Sequence, residues 1–133
     1  MKEAGFEDGF DVELIVDNTT IEQKGAVFVQ QQLSQINVNV KVLPNESTAN
    51  AEETSALEDT TVQMWYVNWS SGSYEADGSM RSILHGEKFP PEGYNTAFWN
   101  NEEFNKLLDD ALKMTDDTQI AEAYAKAQAI AWE

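Results

Sequence analysis

Residues 10–44 read FDVELIVDNTTIEQKGAVFVQQQLSQINVNVKVLP, and the change of period inside this stretch decides the fold. Phe10, Val12, Leu14 and Val16 alternate with Asp11, Glu13 and Ile15, a β-rich pattern of period two that predicts a strand over 10–16. Asp17 and Asn18 end it. Thr19, with Glu22 three residues on, has the spacing of a capping box at a helix start. Ile21, Gly25, Phe28, Val29, Leu33 and Ile36 then recur at helical intervals, predicting a helix over 20–36 with one apolar stripe. Asn37 falls where a helix ends in a left-handed residue, a conformation that Asn tolerates second only to Gly. VNVKVL (38–43) is the next strand, with Pro44 as its stop. Strand, helix and strand within about 35 residues form a βαβ unit, so the strands are expected to be parallel with a right-handed crossover.

Outward from that unit, residues 45–59 are polar and carry a short helix over 49–57. TVQMWYVN (61–68), rich in Val, Trp and Tyr, is the third strand. Placed on the far side of the first strand, it makes the crevice between them a topological switch point, where open α/β sheets hold their ligands. Asn18, Thr19 and residues 68–74 would line that crevice. The fold class expected is α/β, a three-layer sandwich with a mainly parallel sheet.

Beyond the third strand, the polar loop 68–72 leads through Tyr74, Glu75 and Asp77 into a helix over 78–85 with Asp77 as its N-cap. Residues 86–93, with Pro90 and Pro91, are loop, and YNTAFW (94–99) is an edge strand or an extended arm. Asn100-x-x-Glu103 caps a further helix with Phe104, Leu107, Leu108, Ala111 and Leu112 on its inner face. A turn covers 115–118, and Ile120, Tyr124, Ala127, Ile130 and Ala131 mark the final helix. There is no internal repeat. Residues 2–4 with Gly5 read as the last turn of a helix and its glycine cap, too short to stand alone in water. The last helical run reaches Glu133 without a cap. Both ends therefore read as cut, and the chain is expected to be one domain, a lobe of a longer protein.

Twenty-four acids against eight lysines and arginines give a formal net charge of −16. Such a field repels nucleic acid and anionic membranes and favours cationic or amine-bearing partners, although many of the acids serve solubility. The absence of cysteine rules out disulfides, thiolate metal sites and a cysteine nucleophile. No stretch approaches the ~20 apolar residues of a membrane span, and residues 1–9 lack the apolar run of a signal peptide. The single histidine, His85, has no companion ligands at metal spacing and is expected at a helix end or on the surface. Ser70, Ser71 and Ser73 have no base to activate them and are expected to hydrogen-bond within a turn. Gly72, Gly78 and Gly86 do not form a phosphate cradle. Asn18, Asn45 and Asn68 fit the short N-x-[ST] pattern, which matters only in a secretory context that nothing else supports. The aspartates near 109–117 do not match a calcium loop and read as a solvated face. No cofactor or metal is expected.

Two acids in the 69–77 loop invite a comparison. A pair of carboxylates about 5–10 Å apart across a cleft is the apparatus of glycoside hydrolysis, but Glu75 and Asp77, two apart on one loop, are badly placed to straddle a sugar. Asp77 has a ready structural role as a helix cap. Glu75 does not, and a carboxylate beside aromatic rings suits an ammonium, held by charge-assisted hydrogen bonds and cation–π contact. Trp69, directly after the strand, suits a stacking wall. The ligand-contact set expected is Asn18, Thr19, Asn68, Trp69, Ser70, Ser71, Tyr74, Glu75 and Asp77. The alternatives are a hydrolase working through Glu75 and Asp77, or a stand-alone acidic interaction domain.

WSSGSYEAD (69–77) resembles the segment of the dipeptide/oligopeptide/nickel family of extracytoplasmic solute-binding proteins in which a Trp precedes a GDPD-like acidic turn. AGFEDGFDVELI (4–15) is similar to that family's AGY-x-DGF entry into its second lobe, and QQLSQINVNVKV (31–42) to its L-x-x-x-GI-x-V junction. NTAFWNNEEFNKLLDDALKMTD (95–116) with AYAKAQAIAWE (123–133) resembles its tail, and the likeness is greatest to dipeptide- or glutathione-binding members. The resemblance implies a periplasmic-binding-protein-like lobe, the second of a two-lobed, non-catalytic clamp that delivers solute to an ABC importer. Its partners would be the first lobe, the permease subunits and a peptide or amine-bearing ligand. It would work outside the cytoplasm, free in a periplasm or lipid-anchored. In peptide-binding members the first acid of the turn holds the ligand's α-ammonium; by spacing from the Trp it falls on Glu75, and the second acid on Asp77. Tyr-Glu-Ala-Asp stands here in place of Gly-Asp-Pro-Asp, and Asn37 in place of the usual glycine.

Overall fold

A computed structural model describes residues 1–56, 60–73 and 75–132. The chain divides into two compact units, Met1–Trp69 and Ser70–Glu133. In the first, a 3-10 turn (Lys2–Ala4) closed by left-handed Gly5 precedes β1 (Phe10–Asp17), α1 (Thr20–Ser34), β2 (Val38–Asn45), α2 (Ser47–Thr54) and β3 (Met64–Tyr66). The sheet order is β2-β1-β3, and both pairings are parallel, with Phe10 opposite Val38 and Leu14 opposite Met64. Parallel neighbours need crossovers. One runs from β1 to β2 and the next returns past β1 to β3, so the expected switch point lies between β1 and β3.

Alternation sorts the residues of β1. Val12, Leu14 and Val16 face Ala26, Val29 and Leu33 of α1, and Val38 and Val40 of β2 complete this core. Each fully buried Val or Leu among them contributes about 1.5–3 kcal/mol. Asp17, pointing to the opposite face, accepts hydrogen bonds from Ser47 and Asn50 of α2. Helices thus attend both faces of the sheet.

Several boundaries and faces differ from the sequence expectation. The buried residues of α1 are Glu22 and Ala26, with Val29 and Leu33 half-buried, whereas Ile21 is 77% and Phe28 63% exposed. Gly25, Val29 and Leu33 of the expected stripe do face the sheet, while Ile21 and Phe28 do not; the close contact falls at Gly25, where a Cβ would lie 2.4 Å from Cζ and Oη of Tyr66. The side that can approach β3 is chosen by that bare backbone, not by the largest apolar side chains. Ile36 is exposed because α1 stops at Ser34; Asn37 does take the left-handed conformation, at φ 63°. Pro44 lies inside β2 rather than ending it, which an edge strand permits because no neighbour needs its missing N–H. The helix expected over 49–57 is α2, and its last expected residue, Leu57, lies outside the described residues. The third strand is three residues long rather than eight.

The second unit contains α3 (Ala76–Leu84), α4 (Glu102–Ala111) and α5 (Asp117–Trp132). Met80, Phe104, Leu108 and Ala127 form its core, and the Trp99 and Phe104 rings meet edge-to-face at 4.9 Å. The N-cap of α4 is Asn101, not Asn100: its side chain accepts the Phe104 N–H at 3.0 Å. Leu112, expected on the inner face, follows the end of α4 and is exposed, as is Ala131 of α5. The turn expected over 115–118 ends earlier, because α5 begins at Asp117. Residues 94–99 form no strand. They are gathered by buried Asn95, whose amide donates to the carbonyls of His85 (3.1 Å) and Trp99 (2.7 Å).

Gly25→Val should destabilise the first unit by about 1–3 kcal/mol through overpacking against Tyr66, read by urea unfolding. Tyr66→Ala introduced on top should cost less than it does alone, because the two side chains compete for one space; strict additivity would refute the contact.

Candidate functional site

The C-terminal ends of β1 and β3 bring two of the expected residues together. Thr19 is the N-cap of α1, accepting the Glu22 N–H at 3.3 Å. The Glu22 carboxylate does not return the bond to the Thr19 N–H, which instead donates to the Asp17 carbonyl at 2.7 Å. It accepts the Thr19 hydroxyl at 2.7 Å and, with its other oxygen, the Asn68 side-chain amide at 3.1 Å. Glu22, only 9% exposed, thereby joins Thr19 to Asn68. Asn18 is turned to its own helix, its side chain accepting from Gln23 at 2.8 Å. Trp69 follows Asn68 with 41% of its surface exposed.

In the second unit the serine loop folds onto the start of α3. Ser71 Oγ accepts the Ser73 N–H at 3.2 Å, the turn-type bond expected of these hydroxyls. A Cβ on Gly78 would lie 2.7 Å from Ser73 Oγ and 2.9 Å from Ser71 Oγ, so a larger residue here would displace these two hydroxyls. Ser70 is exposed, and Tyr74 lies outside the described residues. The cap assignment is corrected: Glu75 occupies the N-cap position without a side-chain cap bond, and Asp77 sits within the first turn of α3.

The two acids consequently have different employment. Asp77 accepts from Arg81 Nε at 2.9 Å and Nη2 at 3.0 Å, and from the Tyr124 hydroxyl at 3.2 Å. Arg81 continues to Asp109 of α4 through Nη1 at 2.7 Å. Burial opposes the Arg81 charge, but its bonds to Asp77 and Asp109 outweigh this and leave the guanidinium more firmly protonated than usual. Burial, reinforced by Asp77, pushes the Tyr124 hydroxyl up, so it stays a donor. Asp77 is an internal anion of this network. Glu75 is exposed, has no side-chain hydrogen bond among the described residues, and borders a groove of about 680 Å³ that Met80, Leu112, Ile120 and Tyr124 help to line. An open carboxylate beside an apolar trough can receive an ammonium that carries an apolar body.

Sequence reasoning missed Arg81, Asp109, Tyr124 and the reach of Glu22. Asp77 and Arg81 stand at i and i+4, a readable helical spacing. The partners 28 and 47 residues from the first of each pair left no local signal. His85 caps the end of α3, as expected of a helix-end residue, but is 2% exposed rather than superficial. Its Nδ1 accepts the Glu87 N–H at 3.1 Å, which directs its Nε2 toward Asp109, 3.5 Å away. Asp109 and Asp110 keep much of their exposure, as expected of a solvated face, but are paired with Arg81 and Lys106. The described residues contain no group of acids and histidine that could hold a metal.

Comparison with known proteins follows the same lines. A family model described as bacterial extracellular solute-binding proteins, family 5 Middle, matches residues 1–91. The glutathione-binding protein GsiB of Salmonella typhimurium is 34% identical over 135 residues, covering 99% of this chain and 26% of that protein. Its Escherichia coli counterpart is 32% identical over 136 residues, covering 100% of the chain and 27% of the protein. Among solved structures, the periplasmic binding protein DppA of Helicobacter pylori in complex with the peptide STSA superposes with a TM-score of 0.83 at 27% identity, over 97% of this chain and 25% of that one. A dipeptide-binding protein of a Pseudoalteromonas species in complex with Met-Leu gives 0.81 at 27%, over 96% and 25%. The chain spans about a quarter of the length of these relatives.

Arg81→Met should lower stability at pH 7 by about 2 kcal/mol, since it strands the half-buried Asp77 charge. The Arg81 bond, ahead of the opposing effect of burial, holds the Asp109 carboxyl below its ordinary value. A group depressed in this way stabilises the fold above its unfolded value and ceases to do so as pH falls through the lowered one. The gap between wild type and Arg81→Met should therefore shrink as urea unfolding is repeated from pH 5 down toward pH 2. A gap independent of pH would disprove the network's electrostatic role.

Proposed function

Because the chain belongs to family 5 of the bacterial extracellular solute-binding proteins, we propose that it serves as part of the substrate-binding component of an ABC importer, capturing a short peptide or peptide-like solute such as glutathione. Residues 1–133 form, in this reading, most of the second lobe of a two-lobed clamp, with the first lobe and the permease subunits as partners. The protein works outside the cytoplasm, free in a periplasm or lipid-anchored. Among the described residues no helix is long and apolar enough to cross a membrane.

The observation that carries the ligand class is the division of labour between the acids. Asp77 is paired with Arg81, while Glu75 is left open at the N-cap of α3. Glu75 is the residue assigned to the α-ammonium of the solute. Glutamate reaches one methylene further than aspartate, so its carboxylate can meet a ligand that an aspartate there would not touch. Asn68 and Trp69 offer a hydrogen-bonding and a stacking contact, with Asn18, Thr19, Ser70, Ser71 and Tyr74 as the rest of the assigned set. The hydrolase reading loses its second carboxylate to Arg81, and the family is one of binding proteins. Membership of that family likewise displaces the stand-alone acidic domain.

Heteronuclear NMR titration of the chain with glutathione and with Met-Leu tests the assignment. Half-buried ligands lose much of their contact area, so affinity near 1 mM, about −4 kcal/mol, is expected. Shifts should concentrate on the amides of residues 75–79. Glu75→Gln should weaken binding about fivefold, the loss of one exposed ion pair worth about 1 kcal/mol. N-acetylated Met-Leu should behave on wild type as Met-Leu does on the variant. Equal binding of free and acetylated peptide would remove Glu75 from the role.

A further inference from the structure

Glu22 is the one acid among the buried polar residues described. A buried carboxylate is costly unless its charge is met, and a capping box would accept Gln as readily as Glu. Its position three residues into α1 places the charge at the positive end of the helix dipole, which accounts for its tolerance there. It does not account for what the side chain does. Instead of closing the box on the Thr19 N–H, the carboxylate spans 46 residues of sequence to hold the Asn68 amide at 3.1 Å. It is oriented for this by the Thr19 hydroxyl, which donates to its other oxygen at 2.7 Å.

Asn68 is two residues beyond the end of β3 and directly precedes Trp69. One helical turn along α1, Gly25 lets the Tyr66 ring lie against the helix backbone. Two adjoining positions of one helix thus grip the strand's exit, one by apolar contact inside β3 and one by a hydrogen bond just past it. The last pairing of β3 with β1 is at Tyr66, so beyond that residue the sheet no longer directs the chain. The Glu22 bond takes over there.

We propose that Glu22 is a positioning residue: its clamp on Asn68 fixes the course of the chain after β3 and so the presentation of Trp69 to a solute. The link to a solute rests on the functional reading above; the clamp itself does not. The test is a double-mutant cycle in the whole chain, using Glu22→Ala, Glu22→Gln, Asn68→Ala and the pair of alanines, read by amide exchange and by the Trp69 indole signal. Glu22→Ala and Asn68→Ala should each speed exchange of the backbone amides at positions 68 and 69 about tenfold, the loss of one charge-assisted hydrogen bond. The double variant should go no further than either single one. Glu22→Gln, which keeps one acceptor of the same length without the charge, should fall between wild type and Glu22→Ala and remain folded if alanine does not. A merely structural cap would loosen the first turn of α1 and leave the effect of Asn68→Ala undiminished; additivity of that kind overturns the proposal. Titration with Met-Leu separates the two claims. Coupled exchange without peptide-induced shifts in any variant supports the clamp and removes the ligand reading, whereas wild-type binding that Glu22→Ala leaves unchanged at the Trp69 indole overturns the presentation role.

Discussion

Parallel pairing of β1 on both sides is the constraint from which the first unit follows. A parallel neighbour cannot be reached by a hairpin, so each connection must cross a face of the sheet before the chain re-enters it. With β2 on one side and β3 on the other, the two crossovers leave in opposite directions, and α1 and α2 meet opposite sides of β1. The same constraint puts the ends of β1 and β3 side by side, with Asn18 and Thr19 following one and Asn68 and Trp69 following the other. Neither pair is placed by its own local preference. They are placed because β1 is central.

In the second unit a charged group is the organiser. Arg81 on α3 holds Asp77 in its own helix and Asp109 in α4, while Tyr124 of α5 meets the same Asp77. Three helices are thereby referenced to one carboxylate and one guanidinium, over a core of Met80, Phe104, Leu108 and Ala127. A planar fork with five donors can serve two acids at once, which a lysine in that position could not do. The arrangement also determines which acid of the 69–77 loop is available: a carboxylate that bonds Arg81 twice and a tyrosine once has little capacity left for a ligand.

What was legible in the sequence was whatever rests on short-range regularity. The βαβ unit, the parallel pairing of β1 with β2, the Thr19 cap and the left-handed Asn37 all follow from periods and turn chemistry within a dozen residues, whereas the order with β1 in the middle entered only as a condition that the sheet meets. What was not legible depends on which surface meets which. Ile21 and Phe28 look like the inner face of α1 by hydrophobicity, yet the side that touches β3 is the one where Gly25 has no side chain. Pro44 looks like a stop, yet on an edge strand its missing donor has no partner to disappoint. Asp77 looks like a cap, and its actual bond to Arg81 was visible in the i, i+4 spacing, but nothing nearby in sequence announced Tyr124 or Asp109.

Glu22 shows how a correct local reading can conceal a second role. The T-x-x-E spacing does mark the helix start, and Thr19 does accept the Glu22 N–H. The pattern says nothing of where the carboxylate goes, since the Thr19 N–H that it would ordinarily take is already engaged by Asp17. Released from the box, the side chain is free to look outward from the helix end, and the nearest donor that the parallel topology supplies is the residue leaving β3. The sheet order therefore converts a helix-start signal into a tie between two crossover loops. Because that order belongs to the sheet and not to the T-x-x-E pattern, the tie is a consequence of the fold acting on an ordinary motif rather than of any additional sequence signature.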